Sequence, residues 1–230
     1  LIEKCDTIGG MIRVWMVDMG GVLARHNDKE MEREILHFLG DDTHRSFAEI
    51  NPLLSGGLLD RMSSMEIDEI SFWQEFSNLS GLAVPDLNGE SLWGKFFHPA
   101  IDPIVLDCVK RVKRTGVRVV LASNTEPAHV GIHRMRGDYD VFDAAYTSCL
   151  LRCVKPDVRF FEEIMVREAS QPGEMFFTDD SQRNCDSAAS LGIGTYRFTD
   201  ALSLEGKLTK MGMLDAVQDR RFVTVSDVER

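Results

Sequence analysis

The chain has 230 residues, 43 % of them hydrophobic and 27 % charged, with a formal net charge of −11 from 26 Lys and Arg against 37 Asp and Glu. That length holds one substantial α/β core, or a core with a smaller insertion. The charge argues against a nucleic-acid partner, because an acidic surface repels a phosphate backbone. The five cysteines, an odd number without a C-x-x-C pair, argue against a disulfide framework or a zinc centre and fit a reducing cytoplasm. No apolar run approaches the roughly 18 residues that cross a bilayer, and Leu1 to Gly10 lack the charged-then-apolar plan of a signal peptide. The expectation is a cytoplasmic protein with no membrane partner; oligomeric state is not legible.

In chain order, five short, mostly apolar runs read as buried strands: Ile12–Val17, Val117–Ala122, Ala144–Thr147, Met175–Thr178 and Gly194–Phe198. Between the first two, the segment from about Asp28 to Phe97 has no convincing strand. Met31, Ile35, Leu36 and Leu39 mark one helix there. Ile67, Ile70, Trp73, Phe76 and Leu79 mark another, with Ser63-Ser64 as its expected cap. Asp102-Pro103 then opens a helix carrying Ile104, Val105, Cys108, Val109 and Val112, and Gly116 is placed to end it. Phe160, Phe161, Ile164 and Met165 mark a further helix, and Ala188, Ala189 and Leu191 another, stopped at Gly192. Alternating strands and helices predict a doubly wound parallel sheet, a Rossmann-like α/β core with an inserted helical cap. The expected partition is core over 11–26 and 98–214 and cap over 27–97, with 1–10 and 215–230 as candidate flexible termini.

Open α/β sheets bind ligands at the carboxyl ends of their strands, so the residues just after each run carry the chemistry. They are Asp18-Met19-Gly20-Gly21, Ser123-Asn124-Thr125, Lys155-Pro156 beyond the third run, and Asp179-Asp180 with Asn184. Two carboxylates from separate strands can share one Mg²⁺, which prefers oxygen ligands. A carboxylate can serve as a nucleophile toward phosphorus, while a hydroxyl, backbone N–H groups and a lysine hold phosphoryl oxygens. Glycines after Asp18 let the backbone turn sharply and approach a substrate. Taken singly, a strand-end Asp, a Ser-Asn-Thr turn or an Asp-Asp pair is ordinary loop chemistry; their order and their placement after strands carry the reading.

These elements, with Val17 through Leu23 at the start, resemble the four sequence motifs of the haloacid dehalogenase (HAD) superfamily, over about Met11 to Leu214. Leu92-Trp93, Phe96, Pro103, Gly116, Ser123-Asn124-Thr125 and the Phe72-Trp73 pair resemble the branch with a sugar-1-phosphate phosphatase and the amino-terminal domain of soluble epoxide hydrolase. The resemblance implies Asp18 as nucleophile and metal ligand, and Gly20 as a carbonyl ligand. It implies Asp180 as the motif-four carboxylate, with Asn184 four residues on, and Asp179 in support of the metal shell. Ser123, Asn124, Lys155 and Gly21 would bind the phosphoryl group, and the cap would shape substrate choice. The implied activity is a Mg²⁺-dependent phosphatase acting on a small phosphorylated metabolite through an aspartyl-phosphate.

The pattern is broken at Gly20, where phosphatases of the superfamily usually carry a second Asp. General acid–base catalysis contributes about 10²–10⁴-fold, so three readings stand: good leaving groups such as acyl or anomeric phosphates, a substitute such as His26 or Asp28, or an impaired site. Two alternatives to the phosphatase follow: a 2-haloacid dehalogenase, whose carbon chemistry needs neither the second Asp nor a metal, and a silent scaffold that binds a ligand or protein. Arg152 is a second departure, at a position where the family commonly has Gly. It either meets an anionic substrate or points to solvent, the favoured reading. Cys149, Cys153 and the Trp73–Phe76 group read as packing residues, with substrate contact by the aromatic group as the minor reading.

Overall fold

The computed structural model describes residues 11–25, 28–40, 47–84 and 86–215. The segments 1–10 and 216–230, and His26, lie outside the described residues, and so does the side chain of Asp28. The strands are β1 (Val14–Val17), β2 (Ala24–Arg25), β3 (Ala100–Ile101), β4 (Arg118–Ser123), β5 (Ala144–Thr147), β6 (Met175–Asp179) and β7 (Gly194–Arg197). The helices are α1 (Asp28–Phe38), α2 (Phe47–Ser55), α3 (Gly57–Ser63), α4 (Glu69–Ser80), α5 (Leu92–Lys95), α6 (Pro103–Arg114), α7 (Pro127–Arg136), α8 (Ser148–Leu151), α9 (Val158–Glu168), α10 (Gln182–Ser190) and α11 (Ala201–Lys210).

Five strands form one parallel sheet in the order β5-β4-β1-β6-β7. All four residues of β1 are buried, as a central strand covered on both faces requires. Alternation divides the core in two. Trp15, Val17, Val119, Leu121 and Phe176 face the side covered by Val105, Val109 and Val112 of α6 and Leu204 and Leu208 of α11. Val14, Met16, Val120, Ala122 and Phe177 face the side covered by Phe160, Phe161 and Ile164 of α9 and Ala188 of α10. This is the doubly wound α/β architecture that the alternating pattern predicts.

Local signals explain the helix starts. Asp102 caps α6 by accepting from Ile104 N and Val105 N, and Pro103 takes a first-turn position where a missing N–H costs nothing. Gly116, with φ +91°, turns the chain from α6 into β4. The expected cap at Ser63-Ser64 is incorrect: these residues close α3, and Asp68 caps α4, accepting from Ser71 N at 2.8 Å. An ionised carboxylate one residue before the helix outcompetes a hydroxyl several residues away, since it alone reaches the first-turn N–H.

Between β2 and β3, α1, α2, α4 and α5 bury a separate apolar cluster around Ile35, Leu54, Phe72, Phe76 and Trp93. Trp73 and Phe76 are core residues of it. Ala128 and Ile132 of α7 pack against the same cluster, so α7 joins these helices to the sheet. No helix among the described residues is long and apolar enough to cross a membrane.

Candidate active site

Strand β1 sits between β4 and β6, where successive connections leave in opposite directions, the switch point at which such sheets open a crevice. The carboxyl ends of these three strands deliver Asp18, Ser123 and Asp179 to one place. All three side chains belong to buried residues. A cavity of about 490 Å³ opens there, lined from the strand ends by Asp18, Gly20, Gly21, Ser123, Asn124, Lys155, Asp180 and Asn184. From the helical segment between β2 and β3 it is lined by Met31, Glu32, Ser55, Leu59, Asp60 and Ser63, and from the stretch leading to β3 by Trp93 and Phe97.

Lys155 is the centre of the polar cluster. Its Nζ donates to Asp18 Oδ1 at 2.9 Å, Asp179 Oδ2 at 2.6 Å and the Ala122 carbonyl oxygen at 2.8 Å. All three ammonium hydrogens are thereby satisfied, as burial of a charge demands. Burial works against the ammonium, and Asp18 and Asp179 more than offset it, so the Lys155 pKa stands above its ordinary value. The backbone of Lys155 is fixed by Asn124, whose Nδ2 donates to the Lys155 carbonyl at 2.9 Å and whose Oδ1 accepts from Lys155 N at 2.8 Å. Asn124 thus turns its amide to the lysine loop.

Asp179 is fully buried and has its oxygens held by Lys155, by Asn184 Nδ2 at 3.0 and 3.1 Å, and by Ser181 N at 2.8 Å. Asp18, Asp179 and Asp180 each bring a carboxylate oxygen within 4.8 Å of the others. Asp180 is exposed and borders Gly21: an ideal Cβ on Gly21, at φ +74°, would stand 2.3 Å from Asp180 Oδ2. Only glycine permits both the backbone angle and that approach. Burial pushes the Asp18 carboxyl up to about 7; Lys155 draws it down, and Asp179 and Asp180 push it up again. Three carboxylates around one ammonium leave the cluster short of positive charge, and an all-oxygen donor set of this kind suits a hard divalent cation.

Arg152 is exposed, does not line the cavity, and adopts φ +55° after α8. That left-handed angle is the physical reason a glycine is at ease there. Trp93, Phe97, Glu126, His129 and His133 also line the cavity, and the sequence reading does not assign them to it. The Leu92-Trp93 pair is the one local signal near them, and it does not say which way the indole faces.

Residues 12–192 match the haloacid dehalogenase-like hydrolase family. The sesquiterpene phosphatase astK of Aspergillus oryzae is 27 % identical over 191 residues, 81 % of this chain and 89 % of that protein. A HAD-like family hydrolase of Porphyromonas gingivalis superposes with a TM-score of 0.70 at 25 % identity, over 87 % of this chain and 99 % of its own. A HAD family enzyme of Bacteroides thetaiotaomicron, solved in complex with magnesium and inorganic phosphate, gives 0.63 at 25 % identity, over 82 % and 94 %. Acyl-CoA dehydrogenase family member 10 of Mus musculus is 32 % identical over 95 residues, 41 % of this chain and 9 % of that much longer protein. The chain belongs to the haloacid dehalogenase-like hydrolase family.

Proposed function

We propose that the protein is a Mg²⁺-dependent phosphatase that hydrolyses a small phosphorylated metabolite through an aspartyl-phosphate on Asp18. The observation that carries this reading is the Asp18–Lys155–Asp179 chain of hydrogen bonds with Asp180 closing a triad of carboxylates. Lys155 holds Asp18 Oδ1, which leaves Oδ2 for attack on phosphorus. The bond from phosphorus to the leaving oxygen breaks, the oxygen departing as an oxyanion that takes its proton from water because Gly20 offers none, and a second water then cleaves the acyl phosphate to inorganic phosphate and the restored Asp18 carboxylate. Ser123, the loop N–H groups after β4 and Gly21 bind the phosphoryl oxygens, the positive charge of Lys155 stabilises them, and Asn124 positions Lys155. Asp18 and Asp180, with the Gly20 carbonyl and with Asp179 in support, would hold Mg²⁺, which when bound offsets the negative charge between Asp18 and the phosphoryl group.

The partition into a core of 11–26 and 98–214 and a cap of 27–97 belongs to the same proposal. Its support is a cavity walled by strand ends on one side and by Met31, Leu59 and Ser63 on the other. The phosphatase relative and the magnesium–phosphate complex of a structural neighbour support phosphoryl chemistry. Displacement on carbon needs no cation, and would leave three carboxylates with only the Lys155 ammonium among them to offset their charge.

Phosphate release across a panel of metabolite esters, with Mg²⁺ and with EDTA, tests the proposal beside Asp18→Asn. Release that requires both Mg²⁺ and Asp18 is expected. Absence of release from every ester, or halide release from chloroacetate without metal, would overturn it.

A further inference from the structure

Most acidic side chains in the wall of the active-site cavity are engaged. Asp18 accepts from Lys155, Glu32 from Asn51 Nδ2, Glu126 faces His129 Nδ1 at 2.7 Å, and Asp180 belongs to the carboxylate triad. Asp60 of α3 lines the same cavity and differs: its side chain makes no hydrogen bond and no ion pair among the described residues. The sequence around it explains why. One helical turn away stand Gly56, Gly57, Ser63 and Ser64, none of them charged. The two serine hydroxyls face Glu126 and the Arg61 carbonyl instead. Arg61, the next residue, gives its guanidinium to Glu66 at 3.0 Å and to Glu75 at 2.8 and 2.9 Å.

Partial burial pushes the Asp60 carboxyl up from its ordinary pKa. Arg183 of α10, near enough to act on it but beyond ion-pairing distance, draws it down by less. A carboxylate so placed is short of a positive partner, and a cation beside it would be stabilised. Its position in the cavity matters as much. In an in-line displacement the leaving oxygen departs on the side of phosphorus away from the attacking atom. Asp18 attacks from the end of β1, whereas Asp60 stands in the helical wall on the other side, with Leu59 and Met31 beside the path. The alcohol that is released therefore extends along these two apolar side chains toward the open carboxylate.

We propose that Asp60 is the specificity-determining residue for the leaving group, its carboxylate pairing with an ammonium on the released alcohol. The substrate is accordingly the phosphomonoester of an amino alcohol. The inference rests on the phosphatase reading above.

The test is kcat/KM of the full chain with Mg²⁺ on two matched pairs of esters, in which a methyl replaces the ammonium. Ethanolamine phosphate is set against propyl phosphate, and 3-aminopropyl phosphate against butyl phosphate; 2-hydroxyethyl phosphate adds an uncharged donor. In at least one pair the amine is expected to exceed its alkyl partner by roughly 10- to 100-fold, the range of a hydrogen bond to a charged group. The hydroxyl ester falls below the preferred amine. In Asp60→Asn, which keeps the shape and removes the charge, the ratio of amine to alkyl ester drops to near one. Arg183→Gln removes a competing cation and keeps or raises that ratio. Wild-type ratios near one in both pairs, a hydroxyl ester that matches the amines, or a preference that survives Asp60→Asn overturns the proposal. So does a preference lost in Arg183→Gln, which would mean that Asp60 acts through the arginine and not on the substrate. Phosphate release from none of the esters overturns the phosphatase reading and this inference with it, a result distinct from equal activity on all of them.

Discussion

Asn124 and Lys155, 31 residues apart, exchange two hydrogen bonds through the Asn124 side chain and the Lys155 backbone, at 2.8 and 2.9 Å. The amide is matched to this task, since it presents one donor and one acceptor side by side. Asn124→Ala strands both backbone groups of Lys155. The expected cost is about 1–3 kcal/mol in urea unfolding. A fall in kcat of about 10²-fold is also expected, because displacing a positioned group by an ångström has that effect. A loss of stability with unchanged kcat would show that the loop does not place the lysine.

Lys155→Met removes the ammonium and leaves Asp18 and Asp179 buried without their cation. Breaking a buried pair in this way costs about 3–5 kcal/mol. Mg²⁺ is expected to return part of that stability, as any ligand that binds only the folded state does. Thermal melts of the variant with and without the metal give the check.

Stability should depend on pH with a sign that Mg²⁺ reverses. In the metal-free protein the folded-state pKa of Asp18 is raised from 3.8 to about 7 by burial first, with Asp179 and Asp180 adding to it. The folded state then binds more protons than the unfolded chain between these values. The contribution of Asp18 is full below about pH 4 and is lost as pH rises through about 7. A divalent cation favours the ionised carboxylate, so the Tm increment from Mg²⁺ should grow between pH 5 and 8. Asp18→Asn should flatten that growth.

Gly21→Ala adds a Cβ 2.3 Å from Asp180 Oδ2 at a backbone φ of +74°. The left-handed angle alone costs about 1–2 kcal/mol for a residue with a Cβ, and the contact displaces the Asp180 carboxylate. Mg²⁺ affinity measured by titration calorimetry is expected to fall about tenfold, with a smaller change in the urea midpoint. An unchanged affinity would separate Asp180 from the metal.

Much of the fold is legible locally. The central strands β1, β4 and β6 are apolar runs that stop at polar residues, as parallel strands buried on both faces require, whereas the edge strand β7, expected to be buried over Gly194–Phe198, is only partly covered because it has a neighbour on one side alone. Asp18, Ser123 and Asp179-Asp180 can be picked out because they stand where those runs end. Helix α6 is equally plain, because Asp102, Pro103 and Gly116 act within a turn of themselves. The start of α4 is less so, since Ser63-Ser64 and Asp68 both offer capping oxygens and only the backbone path decides between them.

The amino-acid sequence by itself thus determined the doubly wound sheet and the residues at its strand ends, because these follow from the period and ends of short apolar segments. The tertiary structure alone decided that Lys155 bridges Asp18, 137 residues away, to Asp179, that Asn124 serves the lysine, and that Trp93 and Phe97 meet the Glu126–His129 pair in the cavity wall. Those contacts join segments distant in the chain. Their geometry is set by how α7 packs between the sheet and the helices that follow β2, which no local pattern encodes.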